Sequence, residues 1–132
     1  MIRIFVIVMA LVAAACNSPS GPDAVAGEPF ELKAGASSVL PDGMTLKFDR
    51  VESDSRCPID AICITAGDAI VTITLTPERG GSSSRQLHTQ PGGSQISYGS
   101  YNIALTELQP YPRSSRPANP ADYVATFIVS VR

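Results

Sequence analysis

The sequence predicts an all-β domain, a single antiparallel β-sandwich whose strands follow an Ig-like or other Greek-key order in preference to a closed barrel. Three observations lead there. Apolar residues recur with period two in roughly seven separate runs, the mark of half-buried strands. No run after Cys16 sustains a 3.6-residue apolar period with helix caps. Glycine and proline, 10 and 11 residues, cluster between the runs as turn signals. A chain of 132 residues that is 44% hydrophobic, with no internal break in composition, holds one domain with room for a core.

Ahead of that domain, Met1-Ile-Arg3 supplies a positive charge, Ile4 to Ala15 an apolar run, and small residues lead up to Cys16. This is the layout of a secretory signal, and the apolar run falls short of the ~20 residues that span a bilayer. Leu11-Val-Ala-Ala-Ala-Cys16 resembles a bacterial lipobox, with Ala13 where leucine is commonest. That resemblance implies cleavage before Cys16 and acylation of its thiol, and Asn17 in place of Asp implies sorting to the outer membrane. The expected organisation is therefore a signal peptide over residues 1–15, a lipidated flexible tether over 16–28 and the sandwich over 29–132. Acylation would also remove an odd thiol from an exported chain, leaving two cysteines to pair in an oxidising compartment.

The elements follow in order. Pro29-Phe-Glu-Leu-Lys-Ala34 alternates Phe30 and Leu32 against Glu31 and Lys33, and Gly35 ends it. After a turn at Pro41-Asp-Gly43, Met44, Leu46 and Phe48 share a face, and Val51 falls out of phase, which predicts a β-bulge near Asp49 and Arg50. Ala69 to Thr76 is the cleanest strand, with Val71, Ile73 and Leu75 opposite Thr72, Thr74 and Thr76. Pro77 to Ser84 reads as a loop, Arg85 to Thr89 as a short strand, and Gln90-Pro-Gly-Gly-Ser94 as a break. Ile96 to Tyr98 pairs briefly, and Tyr101, Ile103 and Leu105 face one way in a strand reaching Leu108. Gln109 to Pro120 carries four prolines and is a loop. Asp122 to Val131 is a long final strand with apolar residues on much of both faces.

The densest group of special residues lies between the second and third of these strands, from Glu52 to Ala69. Cys57 and Cys63, with five residues between them, can close a small ring stiffened by Pro58, with Gly67 freeing the backbone beyond it. A bond there contributes only about 2 kcal/mol by chain-entropy arithmetic, so its expected use is to fix a crossing between strands. Asp54 and Arg56, two apart on extended chain, project to one side and are expected to join a hydrogen-bond network that holds the loop. Asp42, Asp60 and Asp68 fall in turns, where aspartate serves turn geometry.

Asp54-Ser-Arg-Cys-Pro58, Cys63 and Ala66-Gly-Asp-Ala69 together resemble a motif of small, uncharacterised bacterial exported proteins and lipoproteins, D-S-R-C-P, four residues, C, two residues, A-G-x-A. Tyr101-Asn-Ile-Ala-Leu105, Pro110-Tyr-Pro112 and Tyr123-Val-Ala-Thr-Phe127 are similar to that family's C-terminal half. Thr65 stands where its members commonly carry tryptophan. The family has no established activity, so the resemblance implies location and fold rather than chemistry.

Functional classes narrow by elimination. A net charge of −2 implies no nucleic-acid partner. No G-x-S-x-G elbow and no phosphate-cradling glycine motif occur, so no catalytic residue is assigned and an enzyme is not expected. No cofactor or metal is assigned either: the single histidine, His88, reads as a surface or cross-strand residue. The expectation is a monomeric, membrane-anchored binding or accessory module that contacts an envelope protein through the cysteine loop and through Tyr111, Arg113 and Arg116 of the proline-rich loop. A protease inhibitor is one concrete form of such a module, since a braced loop can insert into a cleft. The alternative is a metal-binding or thiol-redox role for Cys57 and Cys63.

Overall fold

The structure, a computed structural model, describes residues 23–132. Cys16 and the lipobox lie outside the described residues. Within them the chain forms two four-stranded antiparallel sheets packed face to face. The strands are β1 (Pro29–Lys33), β2 (Ser37–Val39), β3 (Thr45–Asp54), β4 (Ala69–Thr76), β5 (Ser83–His88), β6 (Gln95–Tyr98), β7 (Tyr101–Gln109) and β8 (Val124–Val131). One sheet runs β1-β8-β7-β6 and the other β2-β3-β4-β5.

The β-sandwich is as expected from the sequence, but its strands do not take the Greek-key path. Read around both sheets, each strand neighbours its successors in sequence, and β8 closes back on β1. This is an up-and-down meander flattened into two layers. The reason lies in the connections: β1 to β2 takes three residues and β5 to β6 six, so the chain changes sheet at an edge. The two long connections, 55–68 and 110–123, join strands that are already partners. β2 was not anticipated. It is three residues long, and a turn closed by the Ala36 amide on the Lys33 carbonyl folds it back against β3.

Between the sheets lies a core of alternating side chains, including Leu46, Phe48, Ile73 and Leu75 from one sheet and Leu32, Ile103, Phe127 and Val129 from the other. Phe127 is its hub, meeting Phe48 edge-on at 6.3 Å and Phe30 at 6.0 Å between ring centroids. Part of the stretch expected to be tether also docks here. Ala24 is buried, its amide donates to Val39, and the Gly27 amide donates to Val129.

Strand register gives the molecule two distinct ends. Pairings such as Lys33↔Val124 and Asp54↔Ala69 put the 34–36 turn, the cysteine loop, the 89–94 turn and the proline-rich loop together at one end. Residues 23–28, the 40–44 and 77–82 turns and the C-terminus lie at the other. A ten-residue strand such as β3 separates them by about 30 Å.

Candidate functional site

The site at the loop-bearing end is built by irregularities in β3. The expected bulge falls between Phe48 and Arg50, so that Val51 pairs with buried Val71 and faces inward. A second bulge between Val51 and Ser53 shifts the phase again, and Asp54 pairs with fully buried Ala69. Cross-strand partners share a face, so this extra residue turns the Asp54 carboxylate toward the interior. Arg56, two residues on, follows it.

The result is a closed polar knot. Arg56 Nε and Nη2 donate to the two Asp54 oxygens at 2.8 Å each, a bidentate fork. Its Nη1 donates to the Leu108 carbonyl at 2.6 Å, and Nη2 also reaches the Pro110 carbonyl at 2.8 Å. The Tyr123 hydroxyl donates to Asp54 at 2.9 Å, and the Tyr111 ring lies 4.6 Å from the guanidinium carbon. Only 6% of the Arg56 side chain and 10% of the Asp54 side chain are exposed. Burial by itself would raise the Asp54 pKa. The Arg56 and Tyr123 hydrogen bonds and the Arg56 charge outweigh it and hold the carboxyl below its ordinary range. Burial, with the hydrogen bond to Asp54 added, pushes the Tyr123 hydroxyl up to about 12. For Arg56 the loss of hydration opposes the charge, but its pairing with Asp54 prevails and its pKa rises.

Past this knot the chain continues as a hairpin beyond the sheet. The Ser55 amide donates to Asp68 and the Cys57 amide to Ala66. Cys57 and Cys63 are bonded, with Cα atoms 5.9 Å apart, as their spacing predicts. Gly67 has φ +71°, and a Cβ there would lie 1.8 Å from the Ser55 carbonyl oxygen, so only glycine fits. Beside the hairpin, Asp68 accepts from the Thr89 and Gln90 amides, and its Oδ2 lies 2.5 Å from His88 Nδ1. Burial raises the Asp68 pKa, but these partners, His88 foremost, bring it below the usual carboxylate range. His88 is thus a cross-strand partner that ties the 89–94 turn to the hairpin base.

The hairpin also leans on the proline-rich loop. The Ile59 amide donates to Pro112, and Asp60 Oδ1 accepts from the Ser114 amide and hydroxyl. Arg113 and Arg116, in that loop, are exposed at the same end, and Tyr111 is partly covered by its stacking on Arg56. Asp54, Arg56, Cys57, Pro58, Cys63, Gly67, Tyr111, Arg113 and Arg116 are therefore all at this end, and Cys16 lies outside the described residues. Pro58 begins a turn closed by the Ala61 amide on its carbonyl.

The sequence reading did not single out the isoleucines. Ile62 and Ile64 are fully exposed, at 104% and 105%, and Ile59 is 57% exposed. Cys63 is held by its bond to Cys57, while Ile62 and Ile64 on either side of it stay in water. Leaving each such side chain in water forgoes roughly 1.5–3 kcal/mol of burial. The available signal was the Ile-Cys-Ile alternation around a bonded cysteine. Tyr123 was read as a core residue, and its hydroxyl serves the knot as well.

No family model, no curated protein and no solved structure matches this chain.

Among the described residues no group of three or more His, Cys, Asp or Glu side chains is placed to hold a metal ion, and no helix is long and apolar enough to cross a membrane. An open groove of about 880 Å³ lies on the sheet of β1 and β7, lined by Val25, Phe30, Glu31, Thr106 and Thr126 among others. Its lining also includes Asp23, Glu28 and Glu107, and Thr106 and Glu107 border a smaller cleft beside Arg56 and Tyr111 as well.

Proposed function

We propose that this chain is a non-catalytic binding module of the bacterial envelope, held to the outer membrane by lipid on Cys16, with the loop-bearing end as its working surface. The observation that carries this is the pair of bare isoleucines on a hairpin fixed by a disulfide, a buried ion pair and contacts from a second loop. Folding alone gives no reason to hold Ile62 and Ile64 in water, whereas recognition of a partner does. Tyr111, Arg113 and Arg116 form the polar flank of the same surface. The partner this reading implies is an envelope protein met by a single copy of the chain.

The anchor supports the orientation. Six residues separate Cys16 from Asp23, at most about 25 Å of chain. The described chain begins at the end opposite the hairpin, so a lipid on Cys16 would direct the isoleucines away from their own membrane.

The test is site-specific photocrosslinking in cells, with the probe placed in turn at Ile62, Tyr111, Arg79 and Asp42. Adducts confined to the first two positions, and lost when Cys16→Ala releases the protein from the membrane fraction, support the proposal. Adducts spread evenly over both ends contradict it. Titration of thiols under mild reductant addresses the redox alternative: a bridge that stays closed removes it, and one that opens and recloses reversibly favours it.

A further inference from the structure

The outward face of the β1-β8-β7 layer takes no part in the loop-bearing end, yet it is not an ordinary polar surface. β8 alternates buried Ala125, Phe127 and Val129 with half-buried Val124, Thr126 and Ile128, so apolar side chains occupy both of its faces. Strand register frames this outer strip. Pro29 and Ala104 flank Ile128 on one rung, and Glu31 and Glu107 flank Thr126 on the next. A bulge between Leu105 and Glu107 leaves two successive residues, Thr106 and Glu107, in solvent beside it.

This is the floor of the groove of about 880 Å³, to which residues 23–28 add Asp23, Val25 and Glu28. Four carboxylates, those of Asp23, Glu28, Glu31 and Glu107, line it, and no lysine or arginine does. None of the four forms an ion pair with a base among the described residues, although Lys33 lies one rung beyond Glu31. Glu107 accepts from Gln109 Nε2 at 2.7 Å, a neutral donor.

We propose that this groove is a second docking site, separate from the loop-bearing end, and that it takes a lysine- or arginine-rich segment of another polypeptide. Charge complementarity selects the occupant. Lysine and arginine join an apolar stem to a charged head, and the groove sets Val25, Pro29 and Phe30 beside its carboxylates to match both parts. Glu31 and Glu107 stand two strand spacings apart, about 10 Å. One metal ion cannot bridge that gap, since its oxygen ligands must lie within about 2.6 Å, whereas successive basic side chains of a segment can. Contact confined to one groove makes the complex weak and salt-sensitive.

Other occupants fit less well. Residues 17–22 carry no charge, so the chain's own tether offers the carboxylates nothing. An anionic bilayer is repelled by them. A small oligoamine is recognised where most of its surface is enclosed, and this groove is open.

The test titrates the purified protein with a fluorescein-labelled nonapeptide of alternating lysine and valine, at about 0.1 M salt, where charges beyond about 10 Å are screened. The expected result is saturable binding that weakens as salt rises and is about tenfold or more tighter than for the same peptide with glutamine in place of lysine. Glu31→Gln combined with Glu107→Gln weakens it about tenfold. Glu78→Gln combined with Asp122→Asn, an equal change in net charge outside the groove, alters it by about twofold at most. Both groove glutamates are solvent-exposed, so their variant retains the melting temperature of the natural protein. Amide shifts on binding centre on Glu31, Thr106, Glu107 and Thr126.

No saturable binding at millimolar peptide overturns the proposal. So does equal binding of the glutamine peptide, equal weakening by the two double variants, or shifts centred on the cysteine hairpin. Spermine that displaces the peptide at equal concentration assigns the groove to a small amine. Self-association in sedimentation, abolished by Glu31→Gln with Glu107→Gln, assigns it to a second copy that brings Arg113 and Arg116. Either result also overturns the proposal.

Discussion

Arg56 is the side chain on which the loop-bearing end depends, because one guanidinium joins β3, the end of β7 and the proline-rich loop. Arg56→Ala would leave the Asp54 carboxylate buried without its counter-charge and two carbonyls without a donor. It is expected to cost about 3–5 kcal/mol in urea unfolding. Arg56→Lys, which keeps charge but not the fork, is expected to cost less yet remain clearly destabilising. The knot also sets a pH dependence. The folded Asp54 pKa lies below its unfolded value near 3.8, so its stabilisation is complete above that value and is lost as pH falls through the folded one. The Tyr123 hydroxyl runs the other way. Raised from 10.0 to about 12, it stabilises fully below pH 10, and that contribution is lost as pH climbs toward 12. Urea midpoints at pH 9 and pH 11.5 should fall less in Tyr123→Phe than in the natural protein; equal falls would contradict the assignment.

At the scale of elements, the hairpin between β3 and β4 owes its shape to glycine and sulfur rather than to burial. Gly67→Ala places a methyl where the Ser55 carbonyl sits and is expected to destabilise by more than about 1 kcal/mol. The Cys57→Ser, Cys63→Ser pair is expected to lose about 2 kcal/mol by thermal or urea unfolding. How much of this was legible beforehand depended on period and spacing. The alternation of β4 and β8 and the slip at Val51 are written in side chains, so those strands and the first bulge could be read directly. The second bulge could not, because Glu52-Ser-Asp54 contains no apolar residue to mark a change of phase. That bulge aims Asp54 inward, so the knot's members could be guessed while its burial could not. β2 escaped notice for a similar reason, being three residues long with one buried serine and an exposed valine. Strand order is invisible to periodicity, and the meander became evident only once short connections were seen to cross the edges.

The whole molecule is polar in arrangement: a described N-terminus at one end, a braced apolar tip about 30 Å away at the other. Its core is ordinary for a small sandwich. Its special features are grouped at the loop-bearing end, where a buried ion pair, a disulfide, a glycine-only turn and the Asp68–His88 pair converge on six exposed residues. Such convergence is consistent with selection for a fixed shape at that end, since a tolerant surface loop requires none of it. The same grouping explains why the sequence motif is dense there and sparse elsewhere. Recognition at that end therefore requires the tip to be ordered before any partner arrives. Backbone ¹⁵N relaxation of the oxidised protein tests this most directly: order parameters near 0.85 for Ile59 to Ala66, matching β3 and β4, are predicted, and values below about 0.6 for Ile62 and Ile64 would contradict it.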